Sequence, residues 1–272
     1  MAPITLAVVP SATPGDAGAL GRLCDALAAL LDTPVRGMRP ESYSALVNEL
    51  EMDRVQYAWM PPALVAIASE KLRVAPLLSS VRGDRTDYCS ALFVTADSWI
   101  ENTEQLRGTR VAWVDRTSAS GYLMPRLHLA AGGIDPEALF GEELFVRSHA
   151  EVVHAVVAGR ADCGATYAQR PADGEPVRRA GFVDVAPQRA MRVLEWTAQI
   201  PNDVIAGHGL LSKAEHRVFA SAVLALAERP EGRRMLNDAF HAERFVATSR
   251  LALRPLWPML RRARAFGLLH LL

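Results

Sequence analysis

The hydrophobic positions in the first third of the chain switch repeatedly between strand-like and helix-like spacing. The run "ITLAVVPS" is short and rich in β-branched residues, and leucines then recur at helical spacing at Leu20, Leu23, Leu27, Leu30 and Leu31. Further strand-like runs are "VRGMRP", "VQYAWMPP" and "RVAPLLSSV", separated by the helix-like runs "SYSALVNELEMDRV" and "ALVAIASEKL". This alternation predicts a parallel sheet with helices on its faces.

A second alternating series begins near Tyr88. Its strand-like runs are "YCSALFVTA", "TRVAWV", "EELFVRS" and "ADCGATY", the run "HAEVVHAVVAG" has helical spacing, and the chain is mostly helical from Lys213. We therefore expect a two-lobed α/β fold of mostly parallel sheets flanked by helices. Lobe 1 comprises residues 1–87 and 195–272, including terminal helices that pack back on it, and lobe 2 comprises residues 88–194. A small ligand is expected between the lobes, at the carboxyl ends of strands.

Length and charge limit the functions that the chain can have. It has 272 residues, 50% of them hydrophobic, which suffices for one large domain or two lobes with a sizeable core. Lys and Arg number 30, as do Asp and Glu, so the formal net charge is zero. Nucleic-acid binding through a basic face is therefore unsupported. A small anion can still bind, because helix amino-termini and backbone N–H groups attract anions without any net charge.

The cysteines and histidines give no indication of a metal centre. Cys24, Cys89 and Cys163 are widely spaced, and their odd number argues against a disulfide framework or a zinc site. We expect buried free thiols. His149 and His154 are five residues apart and do not share the i, i+4 face that a helical metal site uses. Neither a metal nor a cofactor is expected.

Neither end of the sequence has a targeting or membrane-spanning pattern. The start "MAPITLAVVPS" lacks the basic and apolar regions of a secretory signal, and "LLHLL" is too short to cross a bilayer. The sequence as it stands predicts no membrane span and a cytoplasmic location, or a periplasmic one if a leader was removed. We also expect a monomer.

The stretch "DRTSASG" lies between a strand predicted at residues 111–114 and a helix predicted at residues 122–131. We call residues 117–121 the cradle; they include Thr117, Ser118, Ser120 and Gly121. The first N–H groups of a helix have no internal partner, and the helix dipole favours negative charge there. Hydroxyl groups can donate to an oxyanion, and glycine permits close backbone approach. The cradle therefore suits phosphate, phosphonate, sulfate or carboxylate.

A simpler interpretation is that Ser118 or Ser120 only caps the helix. One cap uses one hydroxyl, whereas the cradle has three hydroxyl residues within four positions. No Gly-Lys-Ser/Thr follows, so the cradle is not a Walker loop. Pro125 lies inside the predicted helix and frees a carbonyl near Gly121, which predicts a kink or an irregular first turn.

Several motifs in a fixed order carry a family resemblance. The stretch "YCSALFVTADSWIENTEQLRGTRVAWVDRTSASGYLMPRLHLAAGGIDPEALF" resembles the second-lobe core of the phosphate/phosphonate-binding proteins of ABC importers. That family typically shows a Tyr-x-Ser strand opening, a Leu-x-Gly-x-x-Val-Ala strand, a Ser-Thr-Ser-Gly-like loop and Gly-Ile-Asp-Pro. The stretches "SHAEVVHAVVAGRADCGATY", "IPNDVIAGHGLL" and "VQYAWMPPALVAIA" also match, so the resemblance covers roughly residues 4–250.

The resemblance implies a type II periplasmic-binding-protein fold and a set of site residues. The cradle residues Thr117, Ser118, Ser120 and Gly121 would bind the oxyanion of the ligand, and the matched positions that line the cleft are Tyr43, Tyr88 and His149. Trp59 and Met60 stand where family members often present a Gly-Pro turn, but Pro61 and Pro62 remove two backbone donors there.

Each of the three cleft positions also has an ordinary structural interpretation. Tyr43 could be a packing residue at a helix start, Tyr88 could simply start a strand, and His149 could be a cap or first-turn residue of a helix.

The resemblance also narrows the ligand. Aminoalkylphosphonate binders place carboxylates in the cleft for the ammonium group, and the corresponding positions here are Tyr167 and Thr197. No obvious acid stands at these positions, although Glu195 and Asp203 lie nearby, and this favours phosphate, phosphite or a short alkylphosphonate. A non-phosphorus oxyanion remains an alternative. The function implied is non-catalytic binding of that anion, as a transport protein with an ABC permease partner or as a cytoplasmic sensor.

Two other functions remain open. One is a cytoplasmic enzyme on the same fold that acts on a small carboxylated substrate, like enzymes of menaquinone biosynthesis. His149 would then be its single candidate acid or base. The other is a scaffold that has lost ligand binding, which the proline pair and the acid-free cleft would suit.

Overall fold

The computed structural model describes residues 3–8, 18–72, 74–116, 118–242, 244–254 and 256–265. The chain divides into two compact units. Unit 1 consists of Met1–Asp87 and Pro201–Trp257, and unit 2 of Tyr88–Ile200 and Pro258–Leu272. Each unit is built on one sheet with helices packed against it, which confirms the predicted α/β class.

The elements follow one another largely as the hydrophobic pattern predicts. The strands are β1 (Ile4–Val8), β2 (Val35–Met38), β3 (Tyr57–Met60), β4 (Ala75–Val81), β5 (Asp87–Thr95), β6 (Arg110–Trp113), β7 (Glu142–Phe145), β8 (Cys163–Ala168), β9 (Met191–Trp196), β10 (Ile200–Pro201), β11 (Val204–Gly207) and β12 (Arg244–Ala247). The helices are α1 (Ala19–Leu31), α2 (Tyr43–Glu51), α3 (Pro62–Lys71), α4 (Met124–Ala131), α5 (Pro136–Leu139), α6 (His149–Val157), α7 (Gly181–Val185), α8 (Lys213–Ala227), α9 (Pro230–Phe240) and α10 (Leu256–Ala265). Short 3-10 helices cover Thr103–Leu106 and Arg250–Leu253, and a π-helical turn covers Ala119–Leu123.

The sheet of unit 1 has the strand order β12-β4-β11-β3-β1-β2. Strand β1 runs parallel to β2 and β3, as the strand–helix alternation predicts. Strand β11 pairs antiparallel with β3 and β4, and β12 pairs antiparallel with β4. Because β11 and β12 join antiparallel to their neighbours, the sheet of unit 1 is mixed and not mostly parallel as predicted.

The core of unit 1 forms where helices cover this sheet. Of the five leucines predicted at helical spacing, α1 buries Leu20, Leu23 and Leu27, whereas Leu30 is exposed and Leu31 is partly exposed. Each leucine contributes about 1.5–3 kcal/mol when fully buried. Helices α8 and α9 pack against α1, as expected for terminal helices that return to the first lobe. The ring of Phe219 on α8 stacks on Tyr57 of β3 with ring centroids 3.6 Å apart.

The sheet of unit 2 has the order β10-β5-β8-β6-β7, with β9 also paired to β5. Strand β6 runs parallel to both β7 and β8, so these three strands have their carboxyl ends at the same edge. This edge carries the candidate site of unit 2.

The division between the units differs from the predicted one in two places. Trp196 pairs with Ala91 of β5 and Glu195 with Leu92, so residues 195–200 stay with unit 2 and the return to unit 1 comes at Pro201. Residues 258–265 also group with unit 2, whereas the sequence predicted them in lobe 1. The extended run "MRVLEWTAQIPND" gives no local sign of the sheet to which each of its residues belongs.

The described residues add three further observations. Cys24, Cys89 and Cys163 are buried free thiols, as expected. None of the described helices combines the length and the apolar composition that crossing a bilayer requires. No group of three or more His, Cys, Asp or Glu suited to a metal ion occurs within the described part of the chain.

Candidate functional site

The cradle follows β6 and begins the π-helical turn. Ser118 is the N-cap of this turn, and its Oγ accepts a hydrogen bond from the Gly121 backbone N–H at 3.1 Å. The N–H groups of Leu123 and Met124 donate to the carbonyls of Ser118 and Ala119, five residues back, which is the π-helical pattern. The helix cap at Ser118 is therefore present. The hydroxyl still has its own hydrogen to donate, so capping does not exclude ligand binding.

Pro125 accounts for the irregular turn. It lies in the first turn of α4 and has no N–H, so the Gly121 carbonyl cannot accept an ordinary helical hydrogen bond from it. That carbonyl instead accepts from the Val114 N–H at 3.2 Å. The predicted irregular first turn is confirmed, and the freed carbonyl fastens the cradle to the end of β6.

Gly121 is required by close packing. A Cβ placed on Gly121 would overlap Val114 Cγ2, would lie 2.7 Å from Val114 Cβ and would lie 2.8 Å from Ser118 Oγ. Real Cβ atoms do not tolerate such distances to carbon, so any side chain here would push the turn away from β6. The expected close approach of the backbone therefore occurs against Val114.

Two buried residues of unit 2, Ser90 and Thr197, hold the cradle in place. Ser90 on β5 donates from Oγ to the Ser120 carbonyl at 2.5 Å, and its N–H donates to Thr197 Oγ1 at 2.9 Å. The Thr197 N–H donates back to the Ser90 carbonyl at 3.0 Å. Ser118 and Ser120 are 6% and 2% exposed, so both lie in a largely water-free environment. Thr117, the third predicted hydroxyl residue, lies outside the described residues.

His149 is the first residue of α6. Ser148 caps that helix by accepting from the Glu151 N–H, so the cap is Ser148 and not His149. The Nδ1 atom of His149 lies 3.0 Å from Thr166 Oγ1. Desolvation by burial lowers the pKa of His149 to about 4, so the imidazole is neutral at pH 7.

Tyr167 contacts this histidine, and Tyr88 lies two residues before Ser90 on β5. The Tyr167 ring meets the His149 ring edge-to-face with centroids 5.0 Å apart, and its hydroxyl donates to Asp184 Oδ2 at 2.8 Å. Tyr167 pairs with Ser90 across β5 and β8, which places it beside the residue that supports the cradle. Tyr88 is the second residue of β5 and half-buried, so it does start a strand.

The remaining predicted residues belong to unit 1. Tyr43 is the first residue of α2, immediately after the N-cap Ser42. Trp59 is 2% exposed and donates from Nε1 to Ser80 Oγ at 3.1 Å, and Met60 is fully buried. Both side chains therefore pack in the core of unit 1. The Pro61 carbonyl accepts from the Val65 N–H and so is used at the start of α3.

Sequence reasoning missed a buried charged cluster next to the cradle. Arg126 of α4 is fully buried, and its guanidinium donates to both carboxylate oxygens of Glu143 at 2.8 and 2.7 Å. Glu143 also accepts from Trp113 Nε1 at 2.7 Å. The Tyr122 ring of the π-helical turn lies 5.0 Å from the Arg126 guanidinium and 5.8 Å from that of Arg116. An arginine in a helix is ordinarily exposed, so the sequence offered no signal for this cluster.

Sequence reasoning also missed the hydrogen bond from Ser90 to the cradle, although a sequence motif pointed to this serine. Ser90 is the serine of the Tyr-x-Ser strand opening "YCS", a motif that had no assigned role.

Several solved structures of known proteins share the fold of this chain. Among solved structures, XAC2383 from Xanthomonas citri bound to ATP superposes with a TM-score of 0.78 at 23% identity, covering 97% of this chain and 98% of that chain. PhnD1 from Prochlorococcus marinus in complex with methylphosphonate superposes with a TM-score of 0.76 at 18% identity, covering 96% of this chain and 98% of that chain. A binding protein component of an ABC phosphonate transporter from Pseudomonas aeruginosa superposes with a TM-score of 0.80 at 17% identity, covering 97% of this chain and 87% of that chain.

These likenesses confirm the type II periplasmic-binding-protein fold. The model of one protein family, described as the periplasmic substrate-binding protein of phosphonate ABC transporters, matches residues 6–252. Because this match covers most of the chain, the protein belongs to the phosphonate-binding family of ABC-transporter substrate-binding proteins.

Proposed function

We propose that the chain binds a small tetrahedral phosphorus oxyanion at the cradle and delivers it to an ABC permease. The ligand class is phosphate, phosphite or a short alkylphosphonate. The observation that carries the proposal is the pair of buried hydroxyl residues, Ser118 and Ser120, on a turn held in place by Ser90 and Gly121. Preorganised donors in a poorly hydrated site bind anions well, because the ligand loses water but the protein does not need to reorganise.

The cradle can supply several donors to one phosphorus group. The hydroxyl hydrogens of Ser118 and Ser120 are two of them. Ala119 and Ser120 occupy the first two positions of the π-helical turn, where N–H groups have no partner within the turn. Each charge-assisted hydrogen bond contributes about 1.5–3 kcal/mol. Three or four such bonds, less the ordering cost, are compatible with micromolar affinity or better.

The residues near the cradle favour a ligand without an ammonium group. Thr197 is uncharged, and its hydroxyl donates to the Ala198 carbonyl at 3.0 Å. Tyr167 donates its hydroxyl to Oδ2 of Asp184, so that oxygen already has a hydrogen-bond partner. A ligand ammonium would therefore compete with an existing partner, and methylphosphonate should bind more tightly than 2-aminoethylphosphonate.

The comparisons support a transporter substrate-binding protein and not the enzyme alternative. The matched family consists of transporter substrate-binding proteins, and one solved relative was in complex with methylphosphonate. The same family implies a small ligand and a permease partner. Because another relative was bound to ATP, ATP belongs in any panel of candidate ligands.

The experiment is a thermal-shift panel on ligand-stripped protein. It contains phosphate, phosphite, methylphosphonate, 2-aminoethylphosphonate, sulfate, ATP and chorismate. A ligand at 100 times its Kd adds about 2.7 kcal/mol of stability. At roughly 2–4 °C per kcal/mol this is a shift of several degrees for a chain of this size.

A matched pair of variants separates binding from helix capping. Ser118 and Ser212 are both N-cap serines, so Ser118→Ala and Ser212→Ala should lower stability similarly. Only Ser118→Ala should abolish the ligand-induced shift. A flat response of the wild type to every phosphorus oxyanion, or an unchanged shift in Ser118→Ala, would contradict the proposal. A shift with chorismate alone would instead favour the enzyme.

A further inference from the structure

Two arginines lie in the adjacent loops that leave the carboxyl edge of the unit 2 sheet. Trp113 of β6 pairs in parallel with Phe145 of β7, so both strands end side by side. Arg116 lies three residues beyond Trp113, and Arg147 lies two residues beyond Phe145. The Arg147 N–H donates to the Val114 carbonyl at 2.8 Å, which joins the two loops directly.

The Arg116 guanidinium is held beside the cradle. Its Nη1 donates to the Tyr122 hydroxyl at 3.1 Å, and its Cζ lies 4.6 Å from the centroid of the Phe145 ring. Tyr122 belongs to the same π-helical turn as Ser120 and Gly121. A guanidinium has five N–H donors, and the bond to Tyr122 uses one of them. Arg116 thus combines a fixed position with donors for a further anion.

Arg147 has a backbone conformation that a glycine would adopt more easily. Its φ is +69°, in the left-handed region where a Cβ is unfavourable. The residue is exposed, and its backbone is bonded to Val114, the residue that packs against Gly121. An arginine at this position adds a second cationic residue to the loop that is bonded to Val114, where a glycine would supply only the turn.

The nearby carboxylates do not neutralise both cations. Glu143 is bonded to Arg126 and Trp113, and Asp115 is the one acidic residue in the two loops, residues 114–118 and 146–148. The cradle hydroxyls and N–H groups already suit a single phosphonate group. Two arginines in the loops that adjoin the cradle suit a second anionic group on the same ligand, since arginine binds phosphate oxygens in a bidentate manner.

We propose that the ligand carries two linked phosphoryl groups, one at the cradle and the other at Arg116 and Arg147. This proposal rests on the proposed function of the cradle and extends its ligand from a single phosphorus group to a diphosphate. A free pyrophosphate and the diphosphate of a nucleotide share this chemistry.

The experiment is calorimetric titration of ligand-stripped protein with methylphosphonate, pyrophosphate and ADP in metal-free buffer. Pyrophosphate should bind at least about 10-fold more tightly than methylphosphonate, because one added charge-assisted contact is enough for that ratio. Arg116→Ala and Arg147→Gly should each weaken pyrophosphate binding by about 10-fold and change methylphosphonate binding by less than about 3-fold. Glycine suits the left-handed backbone at position 147, so that variant should fold. Arg107→Ala is the matched control, because Arg107 is exposed and precedes β6, at the other end of the strand.

The outcomes separate this inference from the function on which it rests. Binding of methylphosphonate without binding of pyrophosphate or ADP overturns the diphosphate inference and leaves the cradle function intact. Equal weakening of both ligands in the arginine variants also overturns it. Absence of binding by all three ligands overturns both proposals. If pyrophosphate binds, binding of ADP as well identifies a nucleotide as the source, and failure of ADP to bind identifies the free anion.

Discussion

The Ser90 hydroxyl donates a 2.5 Å hydrogen bond to the carbonyl oxygen of Ser120 and so ties strand β5 to the cradle. The two residues are thirty positions apart in sequence, and both are buried. A buried carbonyl without a donor is unfavourable, so this bond helps to select the one turn conformation in which the Ser120 N–H and hydroxyl lie on the cradle. Ser90 is a support of the site and is not assigned a ligand contact.

Replacing Ser90 with alanine tests this support. The Ser90→Ala variant leaves the Ser120 carbonyl without its donor, and we expect the free energy of unfolding to fall by about 1–3 kcal/mol. Affinity for the cradle ligand should fall with it, because the turn is no longer preorganised. Urea denaturation and calorimetric titration measure the two effects. In the control Ser98→Ala, which removes the Oγ that accepts from Ile100 N–H in another loop, stability should fall while affinity is retained. Equal affinities in Ser90→Ala and wild type would contradict a role for Ser90 in shaping the site.

Gly121→Ala should be strongly unfavourable. The new methyl group would overlap the Val114 side chain, and overpacking of this kind costs about 1–3 kcal/mol. Gly21→Ala is the matched control, since a Cβ at Gly21 in α1 would meet no atom within 4 Å. That variant should gain up to about 1 kcal/mol, because alanine is the better helix former. Thermal unfolding of both variants distinguishes a local clash from a general effect of replacing glycine, and similar stabilities would argue against the clash.

Much of the fold could be predicted because the hydrophobic pattern is local. The leucine spacing of α1 and the short apolar runs of β1, β3 and β6 specify elements without knowledge of their neighbours. The sheet assignment of residues 195–200 could not be predicted, because Trp196 pairs with Ala91, a residue that is distant in sequence. The local residue pattern of an extended segment does not indicate which sheet the segment joins.

The candidate site divides in the same way. The hydroxyl residues of the cradle and the effect of Pro125 follow from the sequence, because capping and the missing N–H of proline act within a few residues. The supports do not follow, since Ser90 and Thr197 come from distant strands. The burial of Arg126 is a further case, because its partner Glu143 is seventeen residues away on β7.

The Arg126–Glu143 pair makes a prediction about stability. Arg126→Met leaves the largely buried Glu143 without its cation, and loss of a buried ion-pair partner costs about 3–5 kcal/mol. The double variant Arg126→Met/Glu143→Gln should recover part of this loss, because glutamine can still accept from Trp113 but has no charge. Arg110→Met is the control, since the Arg110–Asp162 pair is more exposed and should contribute less than about 1 kcal/mol. Chemical denaturation compares the three variants, and a double variant no more stable than Arg126→Met would show that the uncompensated charge is not the cause.

His149 predicts a pH dependence of stability between about pH 4 and pH 6.5. Burial lowers its pKa from 6.5 to about 4 in the folded protein, so over this interval the unfolded chain binds a proton that the folded protein does not. The free energy of unfolding should therefore fall as the pH is lowered through this interval, by up to about 1.4 kcal/mol per pH unit for one group, and His149 should have no effect on the slope above it. Since other groups titrate as well, the measurement is the difference between wild type and His149→Gln in urea denaturation at pH 7.5 and pH 5. The His149→Gln variant should lose less stability on acidification than wild type, whereas His154→Gln, an exposed histidine on the same helix, should behave as wild type. Parallel pH profiles for wild type and His149→Gln would mean that His149 takes up its proton without opposing the fold, and its contact with Thr166 would then not depend on the neutral imidazole.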